Sequence, residues 1–112
     1  MTEITRYYFD VPESNPNFKV NITPISNEGE FTLEVKFCDI KSMWLYKITY
    51  TNSYTISTGW RLLCATKSLN FEYQKVMPCS IGLESTTELS PNDLEDLNND
   101  DFKFYMVNWN EL

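Results

Sequence analysis

Two runs, "EFTLEVKF" at 30–37 and "MWLYKITY" at 43–50, constrain this chain more than any other feature. Successive side chains of a strand point to opposite faces, so an apolar period of two marks a half-buried strand. In the first run Phe31, Leu33, Val35 and Phe37 share one face, with Thr32, Glu34 and Lys36 on the other. In the second, Trp44, Tyr46, Ile48 and Tyr50 share a face, and Met43, Leu45 and Lys47 share the opposite one. Upstream, "FKVNITPI" puts Phe18, Val20 and Ile22 on one side, and "SNEG" supplies Asn27 and Gly29 for a turn. That succession predicts an antiparallel hairpin. Because the second run is partly apolar on both faces, it predicts burial on two sides, inside a barrel or against a partner chain.

The rest of the chain repeats the pattern with shorter pieces. "TRYYFDV" reads as a strand ending at Pro12, and "PESNPN" is a turn-forming cluster. "TNSYTISTGW" predicts a turn at Asn52–Ser53, a short strand and a second turn at Thr58–Gly59. "WRLLCATKSLNFEYQKV" is less regular and accommodates a strand or a short helix. "CSIGLES" alternates through Ile81 and Leu83, and "FKFYMVNW" forms a closing strand. Between them, Ser90 and Pro91 form a helix start, with the hydroxyl as N-cap and proline at the first position. Asp93, Glu95 and Asp96 then fall where the helix dipole favours carboxylates, and Leu94 and Leu97 point together toward a core.

This inventory predicts an all-β, mainly antiparallel fold: one domain over 1–112, a small barrel or sandwich carrying one short acidic helix. With 42% hydrophobic and 15% aromatic residues the chain has material for a core. A domain of this length buries roughly two-thirds of its unfolded surface, so no metal or disulfide is needed to hold it. Cys38, Cys64 and Cys79 are unpatterned and read as buried free thiols.

Charge narrows the function classes. Residues 1–83 hold eight acids and eight bases, and Lys103 balances Glu111, so the net charge of −7 arises from seven acids and no base over 84–101. Direct nucleic-acid binding, driven by basic side chains that release counterions, is disfavoured, and a partner with a basic surface is favoured. No stretch is long and apolar enough to span a membrane, and the N-terminus lacks a signal-peptide pattern, which predicts synthesis in the cytoplasm. There is no histidine, no GxSxG, no glycine-rich phosphate loop and no HExxH, so an enzyme is not expected. Neither a metal nor another cofactor is expected. Read from Asp93 as a calcium loop, "NDLEDLNNDD" lacks the glycine and places Phe104 where the bidentate glutamate belongs, so the run reads as a solvated polar turn. Among the tryptophans, Trp44 belongs to a core face, whereas Trp60, after a glycine turn, and Trp109 fit packing or an interface equally.

The order of these pieces resembles the phage baseplate plug family. It runs from Tyr8–Phe9–Val11 through the hairpin "NFKVNI…EFTLEVKF" to the tryptophan strand "MWLYKITY", then "GWRLL", "MPCSIGLES", the acidic "SPNDLEDL" and the closing "FKFYMV". The resemblance covers nearly the whole chain through short motifs in sequence. It implies a structural virion protein, made in a bacterial host and placed on the tail axis, packed against tube, hub and spike proteins as a trimer or hexameric ring. It further implies that Trp44, Leu62, Leu63 and Tyr105 are largely core. The candidate interface comprises Trp60, Asp93, Glu95, Asp96 and Trp109. A subunit contact of roughly 800 Å² per partner would take a large share of so small a domain.

The alternative from another class is an acidic inhibitor whose carboxylates over 84–101 imitate a nucleic-acid backbone in a host protein's groove. Salt separates the two, because a mimic loses affinity for a basic partner steeply with ionic strength.

Overall fold

The computed structural model describes residues 5–10, 17–38, 40–41, 43–85 and 102–112. Within them lie β1 (Tyr7–Tyr8), β2 (Phe18–Ile22), β3 (Glu30–Cys38), β4 (Met43–Thr51), β5 (Thr55–Ser57), β6 (Arg61–Leu62), β7 (Ser80–Ser85) and β8 (Phe102–Val107). Two single 3₁₀ turns, Phe71–Tyr73 and Trp109–Glu111, complete the inventory. The acidic helix expected near 90–97 lies outside the described residues.

All strand pairs are antiparallel, and they form two separate sheets. The larger has the order β2-β3-β4, with β5 and β6 both paired to the far edge of β4; the smaller has the order β1-β8-β7. Of the two architectures the alternation allows, the chain adopts the sandwich, since the sheets do not join into a closed barrel.

The expected hairpin is present, with Phe18 opposite Val35 and Ile22 opposite Phe31. Its turn uses the two residues suited to it: Asn27 at φ 62° and Gly29 at φ 74°, a region costly for most side chains. Phe31, Leu33 and Val35 from β3 and Trp44, Tyr46, Ile48 and Tyr50 from β4 form the inner face of the large sheet, all buried. Ile81, Leu83, Phe104 and Met106 oppose them from the small sheet, and Phe18 meets Phe104 edge-on at 6.4 Å across the interior. The core is this layer between the sheets. Of the three cysteines, all free, only Cys79 is buried; Cys38 and Cys64 are half-exposed, so the expectation of buried thiols holds for one of them.

The segment between β6 and β7 holds both a strand piece and a helical turn. Its stretch 66–70 lies along the free edge of β7: Leu83 N–H donates to the Thr66 carbonyl at 2.9 Å, and Leu69 N–H donates to the Ile81 carbonyl at 2.7 Å. Covering an edge in this way removes a template for unwanted strand pairing. Gly82 is required here because a Cβ at that position would lie 2.7 Å from the Tyr105 ring and 2.8 Å from the Lys67 carbonyl oxygen. Gly82→Ala is therefore expected to cost about 1–3 kcal/mol by overpacking. Urea unfolding would read this as a lower midpoint, and a variant as stable as the native chain would contradict the account.

The buried phenols set a pH limit. Burial raises the Tyr46 and Tyr105 pKa values above the ordinary 10.0, in each case outweighing a nearby arginine that acts the other way. Above pH ~10 the unfolded chain loses these protons first, so the folded state holds more protons and stability falls as pH rises. Unfolding midpoints are expected to be insensitive to these phenols below that pH and to decline above it, less steeply in Tyr46→Phe. An equal decline in that variant would contradict the assignment for Tyr46.

Candidate functional site

The two sheets differ in what covers their outer faces. On the small sheet, Gly82 lies under the Tyr105 ring, and Arg6, Lys67, Glu111 and Leu112 line a void of only about 10 Å³ against Tyr105 and Val107. Arg6 pairs with Glu84 and stacks over the Tyr105 ring at 4.8 Å, while the Tyr8 hydroxyl donates to the Glu84 carboxylate at 3.0 Å. These residues cover part of this face, and beside them a groove of about 220 Å³ is lined by Arg6, Thr66, Lys67, Glu84 and Tyr105.

A larger groove lies on the outer face of the large sheet. Directly paired residues of antiparallel strands share a face. The outer face therefore presents one rung of Lys19, Glu34 and Lys47, and a second of Lys36, Leu45 and Leu62. Met43, opposite Cys38, extends the apolar part. Trp60 lies against this face, its ring 4.1 Å from the Lys36 ammonium and 5.1 Å from that of Lys47, with 42% of its surface exposed. Beside it an open groove of about 380 Å³ is lined by Asn17, Lys19, Glu34, Lys36 and Trp60.

Local chemistry holds Trp60 there. Gly59 takes φ 71°, turning the chain sharply after β5. Before it, Thr58 N–H donates to the Ile48 carbonyl at 2.9 Å, and its hydroxyl oxygen accepts from Ile48 N–H at 3.1 Å. After it, the Arg61 guanidinium donates to the Thr58 carbonyl at 3.2 Å and forks onto Glu72 at 2.7 and 3.1 Å. These hydrogen bonds, together with the charge of Arg61, hold the Glu72 carboxyl below its usual pKa. An exposed tryptophan is thus fixed between two anchored residues on a strand edge.

The charge of this face runs against that of the chain. Lys47 is paired with Glu34 at 2.9 Å, but Lys19 and Lys36 have no carboxylate partner among the described residues. Glu30, on the same face, stands four residues along β3 from Glu34, about 13 Å away at strand spacing. Around Trp60 the balance is positive, although the whole chain carries −7.

The predicted site residues separate accordingly. Trp60 is exposed on the open face. Trp109 is half-buried against the core, and its indole N–H donates to the Met77 carbonyl at 2.8 Å, so its polar group already has a partner within the chain. Asp93, Glu95 and Asp96 lie outside the described residues, as does the calcium-loop reading of their segment. Trp44, Leu63 and Tyr105 are buried as expected. Leu62 is a correction: it is 57% exposed, because its pairing with Leu45 turns it to the outer face and leaves Leu63 to face the core. Sequence reasoning passed over Lys19, Lys36 and Lys47 as a group. The period of two places Lys36 and Lys47 on outward faces, but only the register across three strands brings them together under one tryptophan.

Among the described residues no three Cys, Asp or Glu side chains gather as a metal site, and no helix is long and apolar enough to cross a membrane. Comparison of the chain with protein-family models, curated proteins and solved structures returns no match. The resemblance to baseplate plug proteins rests on motif order alone.

Proposed function

We propose that this protein is a structural component of an assembly, working through surfaces rather than through a catalytic pocket, in the manner of the phage baseplate plug proteins its motif order resembles. In that role it packs on a tail axis beside tube, hub and spike proteins, in several copies. The observation that carries the reading is the open outer face of the large sheet, where Trp60, Leu62, Leu45 and Met43 form an apolar strip rimmed by Lys19, Lys36 and Lys47. An aromatic anchor within a polar rim is the common anatomy of a protein contact. A tryptophan held rigidly on a strand edge loses little freedom on binding, which favours such a contact.

The inhibitor alternative draws less support from the described residues. Of the acidic run, Glu84 is engaged by Arg6 and Tyr8, and the Trp60 face has the wrong charge to imitate a phosphate backbone.

Quantitative mass spectrometry of particles purified from the source of this chain tests the proposal. A small fixed number of copies per particle, counted against a known tail protein, is the expected result. Abundance in infected cells with none in the particle would overturn it.

A further inference from the structure

The open face is positive and aromatic, while the acid-rich part of the same sequence is anchored on the other sheet. Residues 86–101 leave and re-enter the described fold at a single rung, where Ser85 of β7 is paired with Phe102 of β8. Over 88–101 the sequence carries Glu88, Asp93, Glu95, Asp96, Asp100 and Asp101, and no Lys or Arg. The lysine and tryptophan face lies on the outer side of the large sheet, with the core layer in between. One molecule therefore carries a positive face on one sheet and, between two strands of the other, a sequence of opposite charge.

We infer that the Trp60 face binds the acidic 88–101 segment of a second copy, so that copies join head to tail. The inference rests on the proposed assembly role and names the partner for its principal surface. Lys19 and Lys36, which have no carboxylate partner among the described residues, meet carboxylates of the neighbour. The leucines spaced among those acids, Leu89, Leu94 and Leu97, supply apolar groups for Trp60 and Leu62. A contact between two different patches is heterologous, and it generates a ring when the rotation closes and a filament when it does not.

Ionic strength enters with a definite sign. Each copy carries −7, so long-range repulsion opposes association when salt is low. At about 0.1 M the screening length is ~10 Å, which damps repulsion between whole molecules but leaves ion pairs at contact distance effective. At ~1 M it falls to ~3 Å and the ion pairs weaken as well. Self-association is therefore expected to be strongest at intermediate salt.

Complementation between two defective variants tests the inference on the full chain. The face variant carries Lys19→Glu and Lys36→Glu; the segment variant carries Asp93→Asn, Glu95→Gln and Asp96→Asn. Lys47 is left unchanged because it pairs with Glu34. Light scattering at ~0.1 M salt is expected to show the native chain above its 13.2 kDa monomer mass. Each variant alone is expected to self-associate roughly tenfold more weakly, a change equivalent to about 1.4 kcal/mol. An equimolar mixture has one intact face and one intact segment, so it should form a one-to-one dimer that grows no further. A native chain that stays monomeric, a mixture that stays monomeric, or variants that associate like the native chain would each overturn the inference.

A second measurement does not depend on the variants folding. A synthetic peptide of residues 88–101 added to the native chain should shift the resonances of Trp60 and Lys36 and leave those of Lys75 unchanged. Binding of a single-stranded oligonucleotide at this face, with no effect of the peptide, would show the assigned occupant to be wrong. Failure of either test with the chain still counted in particles would remove the occupant and leave the assembly role standing.

Discussion

Replacing Trp44 with alanine is expected to destabilise the chain by about 3–5 kcal/mol, the usual cost of emptying a large aromatic site in a core. Trp44 has no exposed surface, faces inward from β4 and meets the Phe37 ring edge-on at 5.2 Å. Its carbonyl also accepts from Leu63 N–H at 2.8 Å, which ties β6 to the same strand. Single domains have roughly 5–15 kcal/mol of total stability, so the loss is a large fraction of the whole. At about 4 °C per kcal/mol it corresponds to a drop near 15 °C in the thermal midpoint. Trp60→Ala is the matched control. Its ring is exposed and its contacts with Lys36 and Lys47 are worth about 0.5–1 kcal/mol, so stability should barely change. Thermal unfolding of the two variants side by side checks the distinction. Comparable losses from both would contradict the division of the tryptophans into one core residue and one surface residue.

Asn70→Ala is expected to cost about 2–4 kcal/mol, more than its size suggests, because it strands two buried backbone groups. The Asn70 side chain is fully buried, its carbonyl oxygen accepts from Ile81 N–H at 3.0 Å, and its amide donates to the Cys79 carbonyl at 3.1 Å. It thereby fastens the 66–70 stretch to the edge of β7, and its backbone carbonyl accepts from Tyr73 N–H at 2.9 Å to start the 3₁₀ turn. Removal takes the side-chain partner from both backbone groups in a dry site. Asn70→Asp keeps the acceptor but loses the donor, and it brings a carboxylate against the Cys79 carbonyl, so it should not rescue stability at neutral pH. Urea unfolding with hydrogen exchange at Ile81 reads both effects. An aspartate variant as stable as the native chain would show that the amide donor contributes nothing.

The two variants also mark what could be read from the sequence. Trp44 was legible, because the period of two in β4 groups it with Tyr46, Ile48 and Tyr50 on one wholly apolar and aromatic face. The β2–β3 hairpin was legible for the same reason, with Asn27 and Gly29 supplying the turn chemistry. Asn70 was not. "SLNFEY" has no period, and the value of its asparagine comes from a strand edge that arrives through long-range pairing. Gly82 carries the same lesson, since a glycine within a strand signals close approach without saying what approaches, and here it is the Tyr105 ring.

The site was legible in one residue and hidden in the rest. Trp60 could be suspected because it follows a glycine turn. The lysines around it belong to three different strands, and only the register unites them. Leu62 shows how narrow the margin is: a "GWRLL" motif does not say which leucine faces inward, and one residue of register decides between core and surface.

The proposed assembly role requires that the Trp60 face of the large sheet be covered by a partner. Lysine acylation, mapped by mass spectrometry on the purified monomer and on the chain within its native assembly, tests it most directly. Lys19 and Lys36 are expected to be modified in the monomer and protected in the assembly, while the exposed Lys75 is modified equally in both. Equal modification of Lys19 and Lys36 in the two states would contradict it.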